Sequence, residues 1–375
     1  EMKHRVFEAL LDVIRLEESA PEETGLKWDD PEVIDTFLYQ AERGGVAPWC
    51  YHQLSRNADF AARHPALITR LKQRFLATLV DSQQKLALYK QVEVLLTAHD
   101  IEVALLKGMA LAFTVYPDEA LRPMGDVDLL IPADKVFAAR DTLLANGAES
   151  AFIPISHWHE KHNAHVRAMR WLPYKSLIEL HSKLYATGSR FLPHAVSWEE
   201  LVVSRTTTRG TFSVLKPPHL VYHLATHLFH DHLMGGIRLG WLLDIALVFE
   251  ASDDAVRLLQ ESMAVNPRAN KELLQAIGWS ARLMSRRVAA QLMPHLTESE
   301  PFPPYTNFVQ SEKVKSRHRG VVIRNFLFTP GLMAKLSGFW HHMFPSFEYM
   351  QHYYDVKSRL QLIPGYFKRL MLRKG

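Results

Sequence analysis

Two aspartates, Asp126 and Asp128, stand one residue apart at the opening of an apolar run that continues through Val127, Leu129, Leu130 and Ile131. Such a run predicts a strand, and a strand sends residues i and i+2 to the same face. The two carboxylates then lie side by side while Val127 and Leu129 face the other way. Burying two like charges unpaired costs several kcal/mol per ion, so they need a compensating partner. A divalent cation is the usual one, and Mg²⁺ is commonly held by one or two carboxylates together with substrate phosphates. The competing reading is a solvated strand end following the turn at Gly125. A third carboxylate comes from Ser176–Leu184, where Leu177, Glu179 and His181 alternate with Ile178 and Leu180. Three carboxylates on neighbouring strands can bind two metals, one on phosphates and one on an attacking oxygen. Taken alone, Glu179 also reads as an exposed charge on a sheet face.

The elements that must hold these groups can be read around them. Val103 to Leu106 is a short buried strand that stops at Gly108, and Met109 to Tyr116 is a helix closed by Pro117. Lys107 and Arg122 flank that helix and either neutralise charge developing on a phosphate leaving group or balance the two aspartates as ordinary cations. Pro132-Ala-Asp134 is expected to cap a helix that runs to Ala145 and stops at Asn146-Gly147. Strands are expected near Ala151–Ile155, His165–Trp171 and Phe212–Leu215, with a turn at Pro173-Tyr174-Lys175. The loop from His157 to His162 is a candidate cover for a base or an acceptor.

The rest of the chain reads as helices. Glu1–Glu17 has helical apolar spacing, Ser19–Asp30 is a loop, and Asp30-Pro31 gives an Asp cap followed by Pro at the first helical position. Leu67–Asp100 is one or two long helices. Helices follow at His219–Phe229, Ile237–Phe249 and Ala255–Leu296, and the proline-rich Thr297–Tyr305 is the best linker. The boundaries expected are an N-terminal helical region (1–95), a catalytic core (96–216), a helical domain (217–296) and a basic, aromatic C-terminal extension (297–375).

Composition sets the outer limits. At 375 residues the chain has room for two or three domains of ~100–200 residues. A content of 47% hydrophobic and 22% charged residues is that of a globular protein and excludes wholesale disorder. A net charge of +4 does not by itself call for nucleic acid. The single cysteine, Cys50, excludes an intrachain disulfide and a multi-cysteine zinc site, and fits a reducing compartment. No run reaches the ~18 apolar residues of a membrane span, and no signal-peptide core is seen, so a cytoplasmic protein is the expectation.

Lys107-Gly108-Met109, Arg122, Gly125-Asp126-Val127-Asp128-Leu129-Leu130 and Ile178-Glu179-Leu180-His181 together resemble the nucleotidyltransferase fold shared with DNA polymerase beta. Within that superfamily they are most similar to the bacterial family of uncharacterised nucleotidyltransferases, over roughly residues 85 to 250. The resemblance implies an α+β fold, a mixed sheet with helices embedded in largely helical flanking regions. It implies Mg²⁺ (or Mn²⁺) on Asp126, Asp128 and Glu179, which are also the catalytic residues. Lys107, Gly108, Met109, Arg122 and His181 become nucleotide contacts. The superfamily turn is usually Gly-Ser or Gly-Gly, whereas here it is Gly108-Met109. The implied reaction moves an NMP, from ATP or another NTP, to an acceptor hydroxyl or phosphate with release of pyrophosphate. The acceptor is a small molecule, peptide, protein or RNA. The alternatives are phosphoryl transfer from the same site, and a non-catalytic module that binds nucleotide, RNA or protein.

Two further groups compete for a role. His223 and His227 lie at i and i+4 on one helix face and read as a Zn²⁺ pair, as hydrogen-bonding groups beside the active site, or as surface histidines. They are no metalloprotease motif, since Leu224 stands where that motif has Glu. A His-x-x-x-His helix followed by Trp241-Leu-Leu-Asp-Ile245 recurs in the resembled family, which makes Asp244 a buried acceptor or a partner for Arg238. The basic, aromatic C-terminal segment suits an RNA phosphate track, a peripheral surface on anionic lipid, or a helix with packed rings and wet cations.

Overall fold

In the computed structural model, described for residues 1–17, 24–151, 157–174, 176–234, 236–296 and 331–372, the chain begins with helices. These are α1 (Met2–Ile14), α2 (Pro31–Gly44), α3 (Ala47–Arg56), α4 (Ala58–Arg63) and α5 (Pro65–Thr97). In α1 the buried positions Val6, Phe7, Leu10, Val13 and Ile14 recur every three or four residues, the amphipathic pattern read from the sequence. The start of α2 is also as expected: Asp30 accepts from the Glu32 N–H, and Pro31 occupies the first turn, where its missing donor costs nothing. Gly45 ends α2 with φ +69°, a left-handed conformation that glycine takes without a Cβ penalty.

The middle of the chain alternates strands and helices: β1 (Ala104–Leu105), α6 (Lys107–Thr114), β2 (Asp126–Leu130), α7 (Val136–Ala145), β3 (Ala148–Ser150), α8 (His157–His162), β4 (Met169–Trp171), β5 (Leu177–His181), α9 (Trp198–Leu201), β6 (Val202–Thr207) and β7 (Gly210–Leu215). Then come α10 (Pro217–Met234), α11 (Leu239–Glu250), α12 (Ala255–Val265), α13 (Asn270–Met284) and α14 (Arg286–Leu292), and helices at Leu332–Met343, Phe347–Tyr354 and Leu362–Leu372.

The described residues fall into two units, one within 1–90, 104–125 and 194–318, the other within 91–103, 126–193 and 319–375. In the first, β1 runs parallel to β7, with Leu105 opposite Val214, and β7 pairs antiparallel with β6. In the second, the strand order is β3, β4, β5, β2; the β2–β5 pair is parallel and the other two pairings are antiparallel. Both units mix strand directions and carry helices, an α+β protein of the expected class.

Four details depart from the sequence reading, the first being that His157–His162, read as a loop, is the helix α8. Helix α7 starts at Val136, not at a cap on Asp134, because the Lys135 N–H returns to the Pro132 carbonyl and makes residues 132–135 a turn. Strand β6 was not anticipated, although Val202-Val203 and Thr206-Thr207 are β-branched and Gly210 follows at hairpin spacing. Beside the expected Ala151–Ile155 strand, β3 lies at Ala148–Ser150, and residues 152–156 lie outside the described residues. The linker at 297–305 lies outside them too.

Candidate active site

The register of β2 on β5 assembles the candidate site. Asp126 lies opposite Leu177, Asp128 opposite Glu179, and Leu130 opposite His181. In a parallel pair, residues at one level point to one face, so Asp128 and Glu179 emerge together with His181 one pleat further. The opposite face is formed by Val127, Leu129, Ile178 and Leu180, all 0% exposed, and this apolar layer fixes the register. A slip of one residue would turn every one of these carboxylates into the core.

Asp128 is 4% exposed and His181 3%, while Glu179 is only half-buried. One ligand atom from each of the three lies within 4.8 Å of the others. His181 Nε2 lies 2.8 Å from Asp128 Oδ1 and 3.6 Å from Glu179 Oε2. A carboxylate can only accept, so the ring nitrogen donates. His165, joined to His181 by an isolated bridge, brings its Nε2 to 3.8 Å from Glu179 Oε2. Burial pushes the Glu179 carboxyl up, but the His181 hydrogen bond and the His165 charge outweigh burial and the repulsion of Asp128. Its pKa ends below the ordinary value, so Glu179 is ionised at neutral pH. Glu179, ionised, and the Asp128 carboxyl beside it at this spacing fit a hard divalent cation such as Mg²⁺. His181, engaged with Asp128, fits the role of the donor that orients a ligating carboxylate. Asp126 opens β2 in a partly exposed position and is outside the group of three.

The remaining candidates lie in the other unit. At the β1–α6 turn Lys107 has φ +47°, a left-handed conformation uncommon for a side-chain-bearing residue. A Cβ on Gly108 would sit 2.9 Å from Met124 Cγ, so packing against Met124 is what demands glycine there. Met109 is buried and offers only its backbone. Arg122 is bound to Asp244 by two bonds, Nε to Oδ1 at 2.7 Å and NH2 to Oδ2 at 2.8 Å. The Tyr116 hydroxyl adds a third donor, 2.8 Å from Oδ1. Asp244 is thus the buried acceptor of the two roles read for it, and its arginine is Arg122; Arg238 lies over the Trp241 ring instead. The rings of His223 and His227 meet edge to face at 5.9 Å, and His227 Nδ1 lies 3.3 Å from Asp231 Oδ2. Among the described residues, the group whose ligand atoms converge as a metal site requires is Asp128, Glu179 and His181, without this pair.

A family model described as uncharacterised nucleotidyltransferase matches residues 30–285, well over half of the sequence. The chain belongs to the uncharacterised nucleotidyltransferase family. Among solved structures it is similar to an antigenic nucleotidyltransferase-like protein from Paracoccidioides brasiliensis, at 14% identity and a TM-score of 0.29, over 56% of this chain and 96% of that one. No curated protein sequence matches it. In this member of the uncharacterised nucleotidyltransferases, no helix among the described residues is long and apolar enough to cross a membrane.

Two groups in the same unit as the carboxylates escaped the sequence reading. His165 reaches Glu179 through a bridge that no local periodicity announces. Lys183 was legible, since it continues the alternation Leu177, Glu179, His181. Its Nζ donates to the Lys161 carbonyl and to Thr187 Oγ1, each at 2.8 Å. Burial, and secondarily the charge of Lys161, pull its pKa down to about 8. A neutral amine still has two N–H donors for these two acceptors. An unfolded lysine titrates near ~10.4, so the unfolded chain binds the extra proton between these values. The contribution to stability is full above the unfolded value and lost as pH falls through about 8. The urea midpoint of the wild type should therefore rise between pH about 8 and about 10, and Lys183→Met should flatten that rise. An equal slope in the variant would assign it to other groups.

Proposed function

We propose that the protein is a metal-dependent nucleotidyltransferase that moves the NMP of a nucleoside triphosphate, ATP foremost, to an acceptor hydroxyl or phosphate and releases pyrophosphate. The observation that carries the reading is the Asp128–Glu179 pair, set level by a parallel register beside His181 and His165, with Glu179 held ionised there. Asp126, Asp128 and Glu179 are the proposed holders of Mg²⁺ or Mn²⁺. When bound, that ion would neutralise triphosphate charge and make the α-phosphoryl group more electrophilic.

The chain's own groups supply the rest. His181 keeps Asp128 turned toward Glu179 by its 2.8 Å hydrogen bond. Glu179 either completes the metal site or accepts the proton of the acceptor hydroxyl as the acceptor oxygen–Pα bond forms and the Pα–O bond to pyrophosphate breaks. By the family resemblance, the Lys107–Gly108–Met109 turn at the start of α6 offers N–H groups and a cation to the phosphates. Arg122 is committed to Asp244 and anchors its own segment there. A cytoplasmic setting agrees with a lone, buried and unpaired cysteine.

The test is incubation of the whole chain with Mg²⁺ and NTPs labelled at the α or the γ phosphorus, with cell extract as the source of acceptor. Label arriving from the α position supports nucleotidyl transfer. Label arriving from γ alone makes the protein a phosphotransferase. With folded protein and no transfer from either, the catalytic reading falls and a binding module takes its place.

A further inference from the structure

We propose that residues 331–372 form a peripheral docking surface for an anionic membrane. The first argument is charge. In sequence, residues 331–375 have seven basic residues and two acidic ones, which leaves 37 basic against 38 acidic in residues 1–330. The whole positive balance of the chain therefore sits in its last 45 residues.

The second argument is the way apolar side chains are turned outward. Helix Leu332–Met343 has a packed side, where His341 stacks on Trp158 with ring centroids 5.0 Å apart and a Cβ on Gly338 would lie 3.1 Å from the same ring. Leu332, Met333, Leu336, Phe339 and Trp340 occupy the opposite side at helical spacing, and each is more than half exposed. Helix Leu362–Leu372 repeats the arrangement. Its Gly365 packs so tightly on Val356 that a Cβ would come within 2.6 Å of Cγ2. Ile363 and Phe367 on this helix, with Leu360 in the turn just before it, face out at 69%, 62% and 91% exposure. The segment has a small core of its own in Met350, Tyr354 and Val356, so these outer side chains are surplus to its folding.

Exposed apolar stripes of this extent mark interaction surfaces. Leu, Phe and Trp on one face with Lys and Arg close by is the composition of helices that lie in the plane of a membrane interface. In sequence, Lys335, Lys357 and Arg359 fall between residues of the stripes, and Lys368 and Arg369 follow Phe367 directly. An anionic headgroup layer satisfies both features at once. A polynucleotide would match the charge and leave the apolar stripes wet, and a second copy would match the stripes and oppose like charges. The proposal is independent of the catalytic reading, since it is tested without nucleotide.

The experiment is flotation of the full chain with vesicles of phosphatidylcholine alone or of phosphatidylcholine with phosphatidylserine, at low and at raised salt. The chain is expected to float with the phosphatidylserine vesicles at low salt and to lose that binding as salt rises. Leu360→Glu with Ile363→Glu should abolish flotation while thermal unfolding stays unchanged, because both side chains are exposed. Lys335→Gln with Arg359→Gln should lower partitioning roughly tenfold or more. Failure to float with phosphatidylserine vesicles overturns the proposal. So does equal binding to phosphatidylcholine alone, or a dimer in sedimentation that the Leu360→Glu, Ile363→Glu protein no longer forms.

Discussion

Asp128→Asn should leave a folded protein whose nucleotidyl transfer is lower by about 10³-fold, the loss typical of removing one electrostatic stabiliser from a transition state. The fold should survive because the amide oxygen of Asn can still accept from His181, whose nitrogen lies 2.8 Å from the present carboxylate. Removing one negative charge also relieves Glu179, on which Asp128 exerts a raising push. What the variant loses is one of the two carboxylates whose oxygens converge with His181 in the proposed metal site. A second readout separates metal binding from chemistry. Mg²⁺ or Mn²⁺ should raise the melting temperature of the wild type by mass action and leave that of the variant unmoved. Transfer retained at the wild-type rate would remove Asp128 from the metal site. Full metal stabilisation in an inactive variant would move its role from holding the ion to the chemical step.

Asp244→Ala should be the most damaging single change to stability, costing about 3–5 kcal/mol in urea unfolding. Asp244 is 1% exposed and receives two bonds from Arg122 and one from Tyr116. Without it, a guanidinium that is largely buried keeps its charge and loses its counter-ion. Burial and then the Asp244 charge hold the Tyr116 hydroxyl well above its usual range, so its pKa should fall in the same variant. Arg122→Met combined with Asp244→Leu removes both charges together and should cost clearly less than Asp244→Ala alone. A double variant as damaged as the single one would mean that packing, and not the uncompensated ion, sets the cost.

Much of the candidate site was open to reading because it rests on local rules. Alternation along Asp126–Ile131 and Leu177–His181 put Asp128, Glu179 and His181 on the right faces, and the parallel pairing of β2 with β5 brought those faces level. The Asp30-Pro31 helix start needed nothing beyond its own first turn. The Arg122 partnership needed a contact across 122 positions of sequence, and pairing by proximity in the chain suggested Arg238 instead. His165 was missed for the same reason, since a single bridge to β5 has no period to betray it. The short helix α7 shows a different limit: Asp134 is a good cap by type, yet the turn closed by Pro132 and Lys135 came first.

By itself the amino-acid order determined the class of fold, the face of each candidate carboxylate and the family, because these follow from period, side-chain chemistry and a few short motifs. Tertiary structure alone decided which arginine Asp244 holds, that His181 and His165 attend the carboxylates, and that Met124 is what forbids a side chain at Gly108. The physical reason is one of range. Strand alternation and helix capping act over a handful of residues, whereas ion pairing and close packing depend on distances that only the folded chain sets.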